Sequence, residues 1–197
     1  MANKRGRYII FILLIILFVL SACTSTKFES KFELYDGKSL FIAVIGELPQ
    51  IKEEQVHFKE ISFDDLNKGE SDKYDAVLVM RENLNQAAER QYADIYTNSP
   101  IPFFFISTTS HVPFTEKDIE YEEIWDWSPG TIYAVGVYKS NEDGSLKGWG
   151  LGLYNDEKTD ENVENLYSRI FMKIEELDSQ IKQQRLKSVR VRQKDVM

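Results

Sequence analysis

The chain has 197 residues, 43% of them hydrophobic, with 24 Lys and Arg against 32 Asp and Glu, a formal charge of −8. That length and apolar content suit one domain with a buried core, and only one stretch is apolar enough to enter a bilayer, which excludes a multi-pass membrane protein. The negative charge excludes a general nucleic-acid binder, and the single cysteine excludes an intrachain disulfide framework or a zinc site built on several thiolates.

The first seven residues carry Lys4, Arg5 and Arg7 and no acid. Tyr8 to Leu20 is then an unbroken apolar run of 13 residues. As a helix it spans about 20 Å of a roughly 30 Å hydrocarbon core, too short for a retained transmembrane span. A basic start, a short apolar run and small residues form the layout of a secretory signal peptide. Leu20-Ser21-Ala22-Cys23 resembles the lipobox of bacterial lipoproteins, with the only cysteine of the chain on the modification position. The resemblance implies that the Cys23 sulfur takes a diacylglycerol and that residues 1–22 are cut away as a signal peptide. Cys23 then becomes the lipidated amino terminus, held on the extracytoplasmic face of the cell membrane. It covers residues 1–23 and implies nothing about the fold; the mature part resembles no specific characterised family. Loss of Lys4, Arg5 and Arg7 with the leader takes the formal charge from −8 to −11. Such a chain is repelled by anionic lipid, so the lipid on Cys23 has to hold it at the membrane.

Residues 23–38 read as a lipidated tether and 39–181 as a single domain. Ser39 to Gly46 is a continuous apolar run of the kind that forms a strand buried on both faces. Val56 to Ser62 alternates and suits a strand nearer an edge. Ser62-Phe-Asp-Asp65 has capping-box spacing, so a short helix is expected there. Asp75 to Met80 is a second buried-type strand. Asn83 is placed as the N-cap of an amphipathic helix carrying Leu84, Ala87, Ala88, Tyr92, Ile95 and Tyr96, and Ile101 to Ile106 is a third apolar strand. Strand, helix and strand make a βαβ unit, expected to be parallel. The acid-rich stretch 114–130 suits a helix capped by Thr115 or an irregular arm. Thr131–Tyr138 and Gly148–Tyr154 flank an Asp143-Gly144 turn and read as a hairpin. A long helix follows, opened by Thr159 or Asp160, with Val163, Tyr167, Ile170, Ile174, Leu177 and Ile181 along one face. Residues 182–197, with six basic residues and one acid, are expected to be a disordered tail. The expected fold is α/β: a small, open, mostly parallel sheet of flavodoxin-like or Rossmann-like texture, with a C-terminal hairpin and long terminal helix.

In such sheets ligands bind outside the carboxyl ends of the strands. Those ends carry Glu47, then Arg81 and Asn83, then Ser107 and His111, which together make a candidate site for a small polar ligand. The helix after Asn83 would turn its N-terminus toward an anion. Ser107 or Ser110 with His111 supplies the residue types of a hydrolase, but neighbours in one loop rarely meet with triad geometry, and no nucleophile elbow is present. The glycines of Gly148-Trp-Gly-Leu-Gly lack phosphate-loop spacing and are read as room for a ring or backbone against the strand. Trp149, Tyr133, Tyr138 and Tyr154 are read as core aromatics rather than a stacking platform. The acids Asp118, Glu120, Glu122, Glu123 and Asp126 lack EF-hand spacing and are read as a solvated face. No metal site and no cofactor is implied. The reading that results is a noncatalytic binding or accessory module with the membrane as partner through Cys23, and with a small polar ligand or a protein as its further partner. The alternatives are the hydrolase and an interaction module acting through the C-terminal helix.

Overall fold

The computed structural model describes residues 32–194; the leader, the lipobox with Cys23 and most of the tether lie outside the described residues. The apolar runs form strands β1 (Leu40–Ile45), β2 (Val56–Glu60), β3 (Ala76–Val79) and β4 (Phe103–Ile106), followed by β5 (Ile132–Lys139) and β6 (Leu146–Gly152). They make one sheet in the order β2-β1-β3-β4-β5-β6. The first four strands are parallel, whereas β5 is antiparallel to β4 and β6 antiparallel to β5. The α/β class thus holds, but the sheet is mixed rather than mostly parallel. The reason lies between residues 107 and 131. A parallel return needs a crossover that carries the chain to the other end of the sheet. Here the chain stays at the carboxyl end of β4, held by Trp127 N–H donating to the Ser107 carbonyl (3.1 Å) and Thr109 N–H to that of Trp125 (2.9 Å). From there β5 can only run back.

The buried runs are apolar on both sides because both sides are covered. On one side α5 (Asp160–Lys194) lays Leu166, Tyr167, Ile170, Phe171 and Ile174 on Leu40, Ile42, Val44, Leu78 and Phe104. On the other, the short helices α1 (Phe63–Asn67), α2 (Leu84–Ala87), α3 (Ala93–Asn98) and α4 (Val112–Thr115) bury Phe63, Leu66, Leu84, Ala87, Tyr96 and Phe114 against Val77, Val79, Phe103, Phe105, Val135 and Val137. The expected capping box is present. The Ser62 hydroxyl accepts from Asp65 N–H (3.2 Å) and the Asp65 carboxylate from Ser62 N–H (3.0 Å). Ser62→Ala is expected to cost about 1 kcal/mol, read as a lower urea midpoint at unchanged slope.

Two elements depart from expectation. The helix expected after Asn83 is broken into a 3-10 turn (Arg81–Asn83), α2 and α3, and Asn83 makes no side-chain cap. At 100° per residue, Leu84 and Ala93 would face opposite ways on one continuous helix, yet both are buried. The break resets the phase, and the Tyr96 hydroxyl donates to the freed Ala87 carbonyl (3.1 Å). The terminal helix runs on through Lys194, where the tail expected to be disordered begins at 182. From Asp160 to Lys194 the sequence has no Gly or Pro, and its Lys, Arg and Gln are good helix formers. Among the described residues no helix is long and apolar enough to cross a membrane.

Candidate functional site

Strand order creates the site. From β1 the chain leaves toward β2 on one side, and from β3 toward β4 on the other, so the two loops part and leave a crevice at the carboxyl ends. Gly46 ends β1 at φ +117°, a conformation that favours glycine, and a Cβ there would collide with the Glu82 carboxylate and the Asn83 amide. A cavity of about 810 Å³ opens at this point, lined by Glu47, Lys52, Glu82, Tyr133, Lys158, Asp160, Glu164 and Tyr167.

The walls are held by polar contacts, one of them buried. Glu53 is only 5% exposed; its carboxylate accepts from the hydroxyl of fully buried Ser168 on α5 and from Lys52 N–H (3.2 Å). This pair clamps the loop after β1 onto the terminal helix, and Lys52 adds an ion pair with Glu164 (2.6 Å). Glu82 accepts from Glu47 N–H (2.7 Å), joining the β1 and β3 ends. The far wall begins at the N-terminus of α5, where the Thr159 hydroxyl caps Asn162 N–H (3.2 Å).

The floor is aromatic. Between Ile132 and Ala134 strand β5 carries one more residue than β6, so Tyr133 is the extra residue of a β-bulge. Bulges re-aim side chains, and this one puts Tyr133 on the α5 side together with its neighbour Ala134. Tyr133 is 5% exposed, lines the cavity, and has no hydrogen bond to its hydroxyl among the described residues. Beside it, Tyr167 reaches only the Met80 thioether (4.0 Å), a weak acceptor. Burial, with Tyr133 and Glu82 nearby, pushes the Tyr167 hydroxyl well above its ordinary pKa, so it stays a donor at neutral pH. The Lys158 ammonium stands 5.5 Å from the Tyr133 ring centroid.

The five residues expected from the sequence are not all brought together. Glu47 lines the cavity, and Asn83 lies beneath Gly46 with its amide donating to the Ile45 carbonyl (3.3 Å). Arg81 turns away to pair with Asp126 (3.1 Å) in a neighbouring depression of about 440 Å³. Ser107 is buried, at φ +69°, with its N–H on the Tyr133 carbonyl (2.7 Å), so it holds the bulge rather than lining the cavity. His111 packs on Gly148, the cross-strand partner of Val137, which faces α1–α4; it therefore sits on the opposite side of the sheet from the crevice. Burial lowers its pKa. The glycines of β6 do make room for rings and side chains: His111 meets Gly148 and Ile132 meets Gly150. The expected anion site after Asn83 is lost with its helix, since α2 is a single turn.

No family model, curated protein or solved structure matches this chain. The chemistry of the site therefore rests on its own residues. Among the described residues no hydrogen bond joins the Ser107 or Ser110 hydroxyl to His111; that of Ser110 accepts from Val112 N–H (3.1 Å). Among the described residues no group of three or more His, Cys, Asp or Glu is arranged to hold a metal ion. Two acids of the arm after α4 are tied down, Asp118 to Arg90 (3.1 Å) and Asp126 to Arg81. Tyr133 and Lys158, which sequence reasoning did not place in the site, shape it together with Glu82 at the end of β3. The bulge that positions Tyr133 has no signature in Thr131-Ile-Tyr-Ala-Val.

Proposed function

We propose that the protein is a noncatalytic binding module, anchored to the extracytoplasmic face of the cell membrane through lipidated Cys23, that holds a small polar ligand in the crevice between β1 and β3. The observation that carries the binding reading is Tyr133: a tyrosine 95% withdrawn from solvent whose hydroxyl has no protein partner and which borders a cavity of about 810 Å³. The ring is buried while the hydroxyl keeps contact with solvent, so a ligand entering the cavity can replace water as its hydrogen-bond partner. The volume lies within the range of small-molecule sites, about 300–1,000 Å³. The parallel order β2-β1-β3-β4 is that of flavodoxin-like sheets, in which ligands sit at the β1/β3 switch point. We assign the fold to that texture, with the β5-β6 hairpin as its antiparallel extension.

The anchor rests on the lipobox and on the short apolar run before it. Cys23→Ala is expected to leave the leader uncleaved or to release the protein from membranes, read by fractionation and by the mass of the processed chain. Unchanged membrane residence of a processed, unlipidated Cys23→Ala chain would sink the anchor. For the crevice, a thermal-shift screen of small polar compounds is expected to find stabilisers of the wild type that fail on Tyr133→Phe. Stabilisers that act equally on both place the ligand elsewhere.

A further inference from the structure

We propose that the crevice takes a small ligand bearing a primary ammonium group, and that Lys158 is a tethered cation which this ligand displaces from the Tyr133 ring. The inference rests on the binding reading above and adds the ligand's charge.

The carboxylates are the first reason. Glu47, Glu82, Asp160 and Glu164 all line the cavity, against Lys52 and Lys158. Lys52 is committed to Glu164 at 2.6 Å. Among the described residues Glu47, Glu82 and Asp160 have no ion-pair partner, so three carboxylates face one ammonium that forms no ion pair of its own. An anion would meet this excess with repulsion. The start of α5 offers it no refuge either, because Thr159 already caps Asn162 N–H and Asp160 and Glu161 occupy the first turn.

The floor is the second reason, and it is independent of the acids. An aromatic face attracts a cation, most strongly where water is withdrawn. The face of Tyr133 is taken by Lys158 at 5.5 Å, a side chain on an exposed loop residue that can swing away at little cost. The chain thus holds an ammonium of its own at the aromatic floor of a cavity far larger than one lysine head. A ligand ammonium in that place gains the ring face and the three carboxylates. The Tyr133 hydroxyl makes no hydrogen bond among the described residues and keeps contact with solvent, so it is left for a ligand hydroxyl or carbonyl.

The test is calorimetric titration of the full-length protein in detergent micelles with three probes of one scaffold: glucosamine, N-acetylglucosamine and glucuronate. Glucosamine is expected to bind at least about tenfold tighter than N-acetylglucosamine, with glucuronate weakest. Its affinity should fall as KCl rises, a measurement on the wild type that needs no variant. Lys158→Met removes the competing cation from an exposed position and is expected to tighten glucosamine severalfold. If N-acetylglucosamine or glucuronate binds the crevice as well as glucosamine does, the ammonium assignment is wrong while the binding reading stands. Weaker glucosamine binding by Lys158→Met would overturn the competing role of that lysine. If none of the three binds, the ammonium assignment is wrong, and the binding reading falls only if the screen of small polar compounds also finds no stabiliser that depends on Tyr133.

Discussion

Phe171→Ala is expected to lower stability by about 3–5 kcal/mol, the cost of removing a buried phenylalanine ring where the surroundings relax only in part. Phe171 is fully buried in the middle of the inner face of α5. Its ring meets Tyr35 edge-on at 6.0 Å, Phe58 of β2 at 6.2 Å and Tyr167, one turn away, at 6.3 Å. One ring therefore joins the segment before β1, the edge strand and the terminal helix, and none of those partners can move into the hole without leaving another. Against a domain stability of about 5–15 kcal/mol, the loss takes a large share. In a thermal scan it should appear as a fall on the order of 10 °C for a domain of this size. The neighbouring Met172, 41% exposed, is the control: its replacement by Ala should cost less than about 0.5 kcal/mol. Equal effects at the two positions would mean that α5 does not dock as described.

The second large effect comes from adding an atom. Gly136 lies in β5 between Phe104 of β4 and Trp149 of β6, and the three form a row on the α5 face. A Cβ at Gly136 would stand 2.6 Å from Trp149 Cε2 and 2.7 Å from its Nε1. The indole is hemmed in on two sides: Phe104 meets it edge-on at 5.6 Å, and Lys173 of α5 stands 5.3 Å over its ring. Its Nε1–H already lacks a partner, so the present position is held by packing and not by a hydrogen bond. Gly136→Ala is expected to cost about 1–3 kcal/mol by overpacking. Trp149→Leu should recover part of that loss in the double variant, since contacting residues couple. Simple additivity of the two changes in denaturant unfolding would show that the collision is not the cause.

How far the sequence reveals this molecule differs from element to element. Runs such as Ala76-Val-Leu-Val and Phe103-Phe-Phe-Ile are apolar throughout because helices cover both sides of the sheet, and that is visible without coordinates. The Ser62 capping box, the β5-β6 hairpin and the stripe on α5 are local patterns and were equally legible. What escaped depends on contacts distant in sequence. The break between α2 and α3 exists because Leu84, Ala87, Tyr92, Ala93 and Tyr96 must all face one sheet, which no straight helix allows. The direction of β5 is set by hydrogen bonds from the arm after α4 back to Ser107.

The candidate site was legible only in outline. The rule that ligands gather at carboxyl strand ends led to the end of the sheet where the crevice opens and to Glu47, which lines it. It could not tell that Arg81 would turn to Asp126, or that His111 would rest on Gly148 beneath the other face. Nor could it supply Tyr133, whose place depends on one extra residue in a ladder, or Lys158, brought in by the loop before α5.

On the proposed function, the crevice between β1 and β3 holds a small ligand in the native protein. Native mass spectrometry of the chain purified from the cells that make it checks this, comparing the wild type with Glu82→Lys, which places a fixed cation in the crevice. The wild type should carry a small-molecule adduct that is released on unfolding, and Glu82→Lys should carry none. A wild type free of any adduct, or the same adduct on both proteins, would contradict the claim.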